Sequence, residues 1–185
     1  HMTLIWSELE IRMIKYRISK YNPNKRDSNN KYAVDTWTSY ADIGKNYNNN
    51  RISFEEYIEV ENNYVIVLMM VLEAVGVKRI QINDLEINFT ISEMNQMFTN
   101  KLPMLTEVQI NIINTLKNNY SIDYPQIGEY VRLILRECFW CRLYDKETET
   151  NIEFGYDYYM YITCAKIPND IINRGSNIGV YIEKI

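Results

Sequence analysis

Three cysteines have the spacing that most suggests a site of chemistry. Cys138-Phe-Trp-Cys141 has the spacing of half a zinc site or of a redox dithiol, and Cys164 is the third thiol. A structural zinc ion usually takes four Cys or His ligands, so the cysteines alone offer one too few. Redox motifs place the first thiol at a helix start, whereas these thiols lie in apolar runs. We therefore expect reduced cysteines that pack in the core, and neither metal nor cofactor.

Histidine, the most frequent catalytic base, is missing from the body of the chain. The single histidine stands in the pair His1-Met2, which is typical of a cloning scar before a natural initiator methionine. Imidazole triads are then excluded. Gly44-Lys45 lacks the spacing of a phosphate-binding loop, and no Gly-x-Gly-x-x-Gly motif occurs. Lysine or carboxylate catalysis stays open, but no motif indicates it, so we expect no catalytic residue.

Several glutamates fall within one predicted helix. Glu55 and Glu59 are four residues apart on its outer face, which is ordinary solvated surface. Glu61 differs, because its spacing from Tyr57 and Tyr64 places it beside the apolar stripe. A carboxylate there needs a charged or hydrogen-bonded partner. We therefore favour a structural ion pair or a tyrosine hydrogen bond at Glu61 over a catalytic role.

The net charge of −4 hides a basic segment near the N-terminus. Arg12 to Lys31 contains seven basic residues and one acidic residue, with tyrosines between them. Such a segment can follow a nucleic-acid backbone, but basic residues also protect exposed strand edges. Because the sequence pI is near 5.2, nucleic-acid binding is the less favoured interpretation.

An acidic and tyrosine-rich run lies in the last third of the chain. Most such runs are solvated hairpin surface, but an acidic face is also what a protein inhibitor presents to a basic nuclease. Tyrosine adds a large contact area with a polar tip. We predict that this run contacts a partner protein through Asp145, Glu147, Glu149, Glu153, Tyr156, Asp157 and Tyr158.

Helices are predicted in the middle of the chain. Ser53-Phe-Glu-Glu56, Thr90-Ile-Ser-Glu93 and Thr106-Glu-Val-Gln109 are capping boxes, and Gly76 and Pro125 are a stop and a start signal. The predicted helices cover about residues 53–75, 92–99, 107–118 and 125–136.

Strands are predicted toward both ends. The first runs from about residue 11 to Ile18, although apolar residues at helical spacing over Leu4–Ile18 leave a helix as the alternative. Asn46–Asn50 is predicted as a loop, Asp145–Asn151 as a turn between two strands, and Gly175–Gly179 as a turn before the last strand. The pattern predicts an α+β fold with a mainly antiparallel sheet and a central group of helices. The other predicted strands are Lys78–Ile82, Phe139–Leu143, Ile152–Cys164 and Ile178–Ile182.

Length and composition favour one domain, from residue 3 to residue 185. The chain is 46% hydrophobic over 185 residues, which suffices for one sizeable core. The longest apolar run, Val65–Val71, is far shorter than the roughly 20 residues of a membrane span, and no leader pattern precedes it. We expect a cytoplasmic protein that does not enter the membrane.

Four segments carry a resemblance to a known class of proteins. Trp37–Gly44, Phe54–Tyr64, Asp84–Glu86 and Phe154–Tyr161 resemble segments of small bacterial immunity proteins. These are antidotes encoded beside contact-dependent inhibition and related polymorphic toxins. The resemblance implies a cognate toxin domain as partner, neutralised by covering its active site or an essential surface. It implies no role for any single residue, since such families have varied folds.

Our leading hypothesis from the sequence is an immunity protein that binds a toxin domain, with a nuclease as a candidate. A nucleic-acid-binding regulator that uses residues 12–31 is one alternative. A phage or mobile-element inhibitor of a host defence enzyme is another, and it is indistinguishable from the first at this level. A histidine-independent enzyme is the remaining class, and a deep pocket with converging carboxylates is its signature.

Overall fold

A seven-stranded antiparallel sheet is the framework of the fold. The computed structural model describes residues 11–185, so His1-Met2 and residues 4–10 of the alternative helix lie outside the described residues. The strands within residues 11–185 are β1 (Ile14–Ser19), β2 (Asn46–Tyr47), β3 (Asn50–Arg51), β4 (Arg79–Glu86), β5 (Ser121–Asp123), β6 (Trp140–Asp145), β7 (Thr150–Phe154), β8 (Met160–Cys164) and β9 (Tyr181–Lys184). Strands β2 and β3 form a separate hairpin, and the sheet order is β5-β4-β6-β7-β8-β1-β9. The predicted α+β class and its mainly antiparallel sheet are confirmed.

The two faces of the sheet differ in burial. Leu143, Ile152 and Ile162 lie side by side on three neighbouring strands, and all three are fully buried. Side chains alternate between faces along a strand, so their sequence neighbours point the opposite way. On that opposite face Arg142 and Tyr161 are partly exposed. In the middle of the sheet this face is therefore less buried, and we call it the open face.

Five helices occur in the described range, and the first is the longest. They are α1 (Phe54–Ala74), α2 (Ile91–Phe98), α3 (Glu107–Thr115), α4 (Ile127–Leu135) and α5 (Asn169–Asn177). All three predicted capping boxes form. In α1, Ser53 Oγ accepts the Glu56 N–H at 3.0 Å, and Glu56 Oε2 accepts the Ser53 N–H at 2.9 Å. The helix ends before Gly76, whose φ of 85° is left-handed.

Glu61 fastens α1 to α4. Its Oε1 accepts from Arg132 Nη1 at 2.6 Å and from Arg136 Nη2 at 2.7 Å, and its Oε2 accepts from Arg136 Nε at 2.9 Å. Glu61 is fully buried and Arg136 is 7% exposed. The predicted structural ion pair is confirmed, and two arginines rather than one share the carboxylate.

The prediction of one strand over Ile152–Cys164 is wrong. The chain forms β7 and β8 instead, joined by a turn at residues 155–159. Asp157 and Tyr158 both have left-handed φ angles, 56° and 68°, which reverse the chain as in hairpin turns. Phe154 and Met160 are both buried, so the alternation of apolar side chains continues in phase on both sides of the turn. Periodicity alone therefore gives no sign of the break.

Helix α5 has no counterpart among the predicted helices. Pro168 precedes it, and Gly175, which was predicted to lie in a turn, falls inside it. A Cβ at Gly175 would lie 2.7 Å from the carbonyl oxygen of Val180, so the close return of the chain requires glycine. Only Gly179, with a φ of 79°, turns the chain toward β9. That strand consequently begins at Tyr181 and not at residue 178.

Smaller differences concern the remaining strands. Strand β1 begins at Ile14, three residues later than predicted, and β4 continues to Glu86 past a bulge after Asn83. Strand β5 was not predicted, because three residues carry too little periodicity. The predicted loop at Asn46–Asn50 contains the hairpin of β2 and β3, where Asn48 and Asn49 have the left-handed φ angles that its turn requires.

The cysteines lie in the core, as the packing interpretation predicts. Cys138, Cys141 and Cys164 are all free and at most 1% exposed. Burial raises the pKa of each thiol to about 12. Within residues 11–185, no group of three or more His, Cys, Asp or Glu side chains is placed to hold a metal ion. The same range has no helix with the length and apolar character of a bilayer span.

We predict that Glu61→Gln lowers the free energy of unfolding by about 3–5 kcal/mol, because Arg136 is left buried without its counter-charge. Urea denaturation of the whole chain measures this loss. Glu59→Gln is the matched control, since Glu59 is exposed on the same helix. A loss below about 1 kcal/mol for Glu61→Gln would contradict the structural role.

We also predict that no cysteine of the folded protein reacts with a disulfide reagent at about pH 8, because reaction requires an accessible thiolate. All three thiols should react after denaturation in guanidinium chloride. The measurement is the absorbance of released thiolate with and without denaturant. Rapid labelling of Cys138 or Cys141 in the folded protein would contradict the interpretation that these two cysteines only pack in the core.

Candidate partner-binding site

The predicted contact residues lie mainly at the two opposite ends of strand β7. Glu147 and Glu149 lie in the loop before β7, whereas Tyr156 and Asp157 lie in the turn after it. At about 3.4 Å per residue, the five residues of β7 separate these ends by about 17 Å. Glu153, on the open face, is the only predicted acid between them. The acidic run is therefore not one continuous contact surface.

Asp145 is a structural residue and not a surface contact. It is 7% exposed, and its Oδ2 accepts from Thr148 Oγ1 at 2.6 Å. Its Oδ1 accepts the Glu147 N–H at 3.1 Å. These bonds close the loop between β6 and β7 and satisfy the buried carboxylate. The predicted partner-binding role of Asp145 is therefore corrected.

Tyr158 is likewise part of the core, with 5% of its surface exposed. Its ring centroid lies 4.8 Å from that of Tyr64, 5.2 Å from Trp37 and 5.9 Å from Tyr57. Its hydroxyl donates to the Tyr57 hydroxyl at 3.2 Å. Burial raises the pKa of Tyr158 well above its ordinary value, so the phenol stays neutral. Tyr158 therefore anchors the turn at residues 155–159, and its burial does not fit the predicted role of an exposed contact residue.

The turn at residues 155–159 holds a strained backbone. A left-handed conformation costs a non-glycine residue about 1–2 kcal/mol, and here two consecutive residues adopt it. Two phenol hydroxyls from other parts of the chain stabilise the turn. Tyr21 donates to the Asp157 carbonyl oxygen at 2.6 Å. Tyr64 donates to the Tyr158 carbonyl oxygen at 3.0 Å. Strained residues persist where the surrounding structure over-determines them, and they cluster at functional sites.

The group displayed is Tyr156, which is 93% exposed at the tip of the turn. The Tyr159 N–H donates to its carbonyl oxygen at 3.1 Å, which fixes the backbone on both sides of the tip. A large aromatic side chain is thus held in solvent by a rigid support. Exposed aromatic side chains in fixed positions are frequent contact residues of protein interfaces.

A cleft of about 710 Å³ lies beside Tyr156, and we call it the aromatic cleft. It forms at the end of the sheet where β4 and β7 finish and β6 and β8 begin. None of its lining residues is Lys, Arg or His. The lining includes seven aromatic residues, Phe89, Phe139, Trp140, Phe154, Tyr156, Tyr158 and Tyr159, and three acidic ones, Glu86, Glu137 and Asp157.

The three carboxylates of the aromatic cleft have no ionic partner among residues 11–185, because every salt bridge of that range involves other acids. Glu137 has a left-handed φ of 59°. Burial raises its pKa, and the nearby Asp42 carboxylate raises it further. The cleft is therefore a negative, aromatic environment that favours a cation.

The basic segment is partly used inside the protein. Arg17 Nη2 and Arg26 Nη2 both donate to Glu183 Oε2, at 3.2 and 2.6 Å. Lys20 Nζ lies 4.1 Å from the centroid of the Trp37 ring, and burial lowers its pKa to about 7. Three of the seven basic residues of this segment are thus withdrawn from a nucleic-acid backbone.

Sequence reasoning identified Tyr156 and Asp157 but missed most of the aromatic cleft. Trp140 follows directly from the alternation of β6, which places it with Arg142 and Tyr144 on one face. The sequence does not reveal that this face is open. Glu86 lies opposite Trp140 across the β4–β6 ladder, a pairing of residues more than fifty positions apart. No local signal connects them.

Comparisons with known proteins add no homologue. No protein-family model matches the chain, and neither a curated protein nor a solved structure is significantly similar to it.

We predict that Tyr64→Phe loosens the turn at residues 155–159. The change removes the hydroxyl that satisfies the Tyr158 carbonyl, so stability should fall by about 1–3 kcal/mol and amide exchange in the turn should accelerate. Tyr124→Phe is the control, because it removes an equivalent bond to the Met69 carbonyl elsewhere. Exchange at 155–159 that is the same in both variants would contradict the bracing role.

Proposed function

We propose that this chain is an immunity protein, which binds a cognate bacterial toxin domain in the cytoplasm and neutralises it by covering its active site or an essential surface. One observation carries the proposal: a braced, strained turn displays Tyr156 at the rim of an aromatic cleft with three carboxylates. The resemblance of four sequence segments to immunity proteins supports the same class of partner.

The composition of this surface suits binding to a protein. Tyr and Trp, with Arg, are the residues that most often dominate the energetics of protein interfaces. Tyr156 is held on a rigid turn, so it loses little backbone entropy on binding. Trp140 is fixed as well, since its Nε1 donates to the Phe154 carbonyl oxygen at 2.9 Å. The backbone of Tyr156 and the ring of Trp140 are therefore in place before a partner arrives.

The charge of the surface favours a basic partner. Glu86, Glu137 and Asp157 complement positive charge, and complementary potentials accelerate association and exclude wrong partners. Nucleases bind a phosphate backbone with basic surfaces, so they are the toxin class that such a site complements best. That the toxin is a nuclease is therefore part of the proposal.

The alternatives receive less support. The paired state of Arg17 and Arg26 weakens the case for a nucleic-acid regulator. Within residues 11–185, the carboxylates of the aromatic cleft are not grouped as metal ligands. An inhibitor of a host defence enzyme would use the same surface, and a toxin gene next to this one distinguishes the two classes.

We predict that the toxin domain encoded by the neighbouring gene forms a complex with this chain and that co-expression restores growth. Tyr156→Ala should weaken the complex at least tenfold, because an interface aromatic is lost, while stability changes by less than about 0.5 kcal/mol. Isothermal titration and growth curves measure these effects.

Val108→Ala is the matched control, because Val108 is 65% exposed and lies outside the aromatic cleft. Absence of a complex with the unmodified chain would contradict the proposal. Equal affinity of the Tyr156→Ala and Val108→Ala variants would move the interface away from the cleft.

A further inference from the structure

We infer that the aromatic cleft is a socket for one arginine side chain on a loop of the partner protein. This inference rests on the proposed binding function and specifies its chemistry. It follows from three features of the cleft, namely its unpaired carboxylates, its aromatic walls and its size.

The carboxylates of the cleft are solvent-exposed and unpaired, as several other surface acids are, and what distinguishes them is that they share one cleft without a basic lining residue. Glu61, Asp84 and Glu183 each bind arginine within the chain. Glu86, Glu137 and Asp157 come from three separate segments, line one cleft and bind no cation of residues 11–185. The cleft therefore carries negative charge that no basic lining residue balances. A basic group of the partner would balance it.

The surroundings of Glu137 point the same way. Glu137 is exposed at the surface, yet partial desolvation and the Asp42 carboxylate both raise its pKa, so its environment mildly disfavours the ionised form. An adjacent guanidinium would reverse this effect, since an opposite charge within a few ångströms stabilises a carboxylate.

The walls of the cleft favour arginine over lysine. The faces of Phe89, Trp140 and Tyr156 attract cations, and a planar guanidinium also stacks on such rings. The guanidinium can at the same time donate two parallel hydrogen bonds to a carboxylate. A lysine ammonium is more strongly hydrated and lacks the planar shape. Aromatic walls and carboxylates together therefore match arginine.

The size and position of the cleft favour a protein loop over a free cation. A volume of about 710 Å³ lies within the range of ligand pockets and exceeds the need of one side chain. The cleft therefore admits the backbone on either side of the arginine. Trp140 and Tyr159 line the cleft at the end of the open face, so a bound loop would continue onto that face.

The test uses the whole ¹⁵N-labelled chain and two short peptides. Acetyl-Gly-Arg-Gly-amide is titrated against acetyl-Gly-citrulline-Gly-amide, which has the same shape without the charge. We expect the arginine peptide to shift the amide signals of residues 86–89, 137–140 and 155–159 with an affinity in the millimolar range. The citrulline peptide should bind at least tenfold more weakly.

Two variants complete the test. Glu137→Gln should weaken the arginine peptide at least fivefold, whereas Glu59→Gln, an equal change of charge on the exposed side of α1, should leave its affinity unchanged. Equal shifts with citrulline, shifts outside the cleft, or binding of guanidinium ion as tight as that of the peptide would each overturn the inference. Binding of the arginine peptide without any toxin complex would retain the socket and reject only the immunity function.

Discussion

The left-handed pair Asp157 and Tyr158 is the constraint on which the proposed site depends. Two tyrosine hydroxyls hold its carbonyl groups, and the buried ring of Tyr158 packs between residues of helix α1 and Trp37. Helix α1 is in turn fastened to α4 by the carboxylate of Glu61. The exposed tip is thus supported by hydrogen bonds and ring contacts to the core, and the Glu61 ion pair holds α1 in place behind them. The rigidity of the tip follows from the core and not from the turn itself.

Much of the fold could be predicted from local signals. The three capping boxes and the apolar stripe of α1 are local, and all four predicted helices form. Elements without a local signal were missed. Helix α5 follows a proline and contains Gly175, which is required because the carbonyl oxygen of Val180 approaches closely, a contact that no pattern of residue types indicates. The turn between β7 and β8 was missed because Tyr158 is an unusual residue for a left-handed position and the alternation continues through it.

The candidate site was predictable only in part, for the same reason. Tyr156 and Asp157 were selected because aromatic and acidic residues are neighbours in sequence. Asp145 is an acidic residue in the same run, yet it is buried and accepts hydrogen bonds from its own loop. Glu86 and Glu137 were not selected, because only the order of strands in the sheet brings them to the same end as Tyr156. Burial and strand order are collective properties that no short segment contains.

The central claim is that a partner covers the turn at residues 155–159 and the aromatic cleft. Hydrogen–deuterium exchange of the chain with and without its bound toxin domain tests this claim most directly. The account predicts slower exchange in residues 86–89, 137–140 and 155–159, with little change in the loop at residues 146–149. Protection confined to that loop, or to the basic segment at residues 12–31, would contradict it.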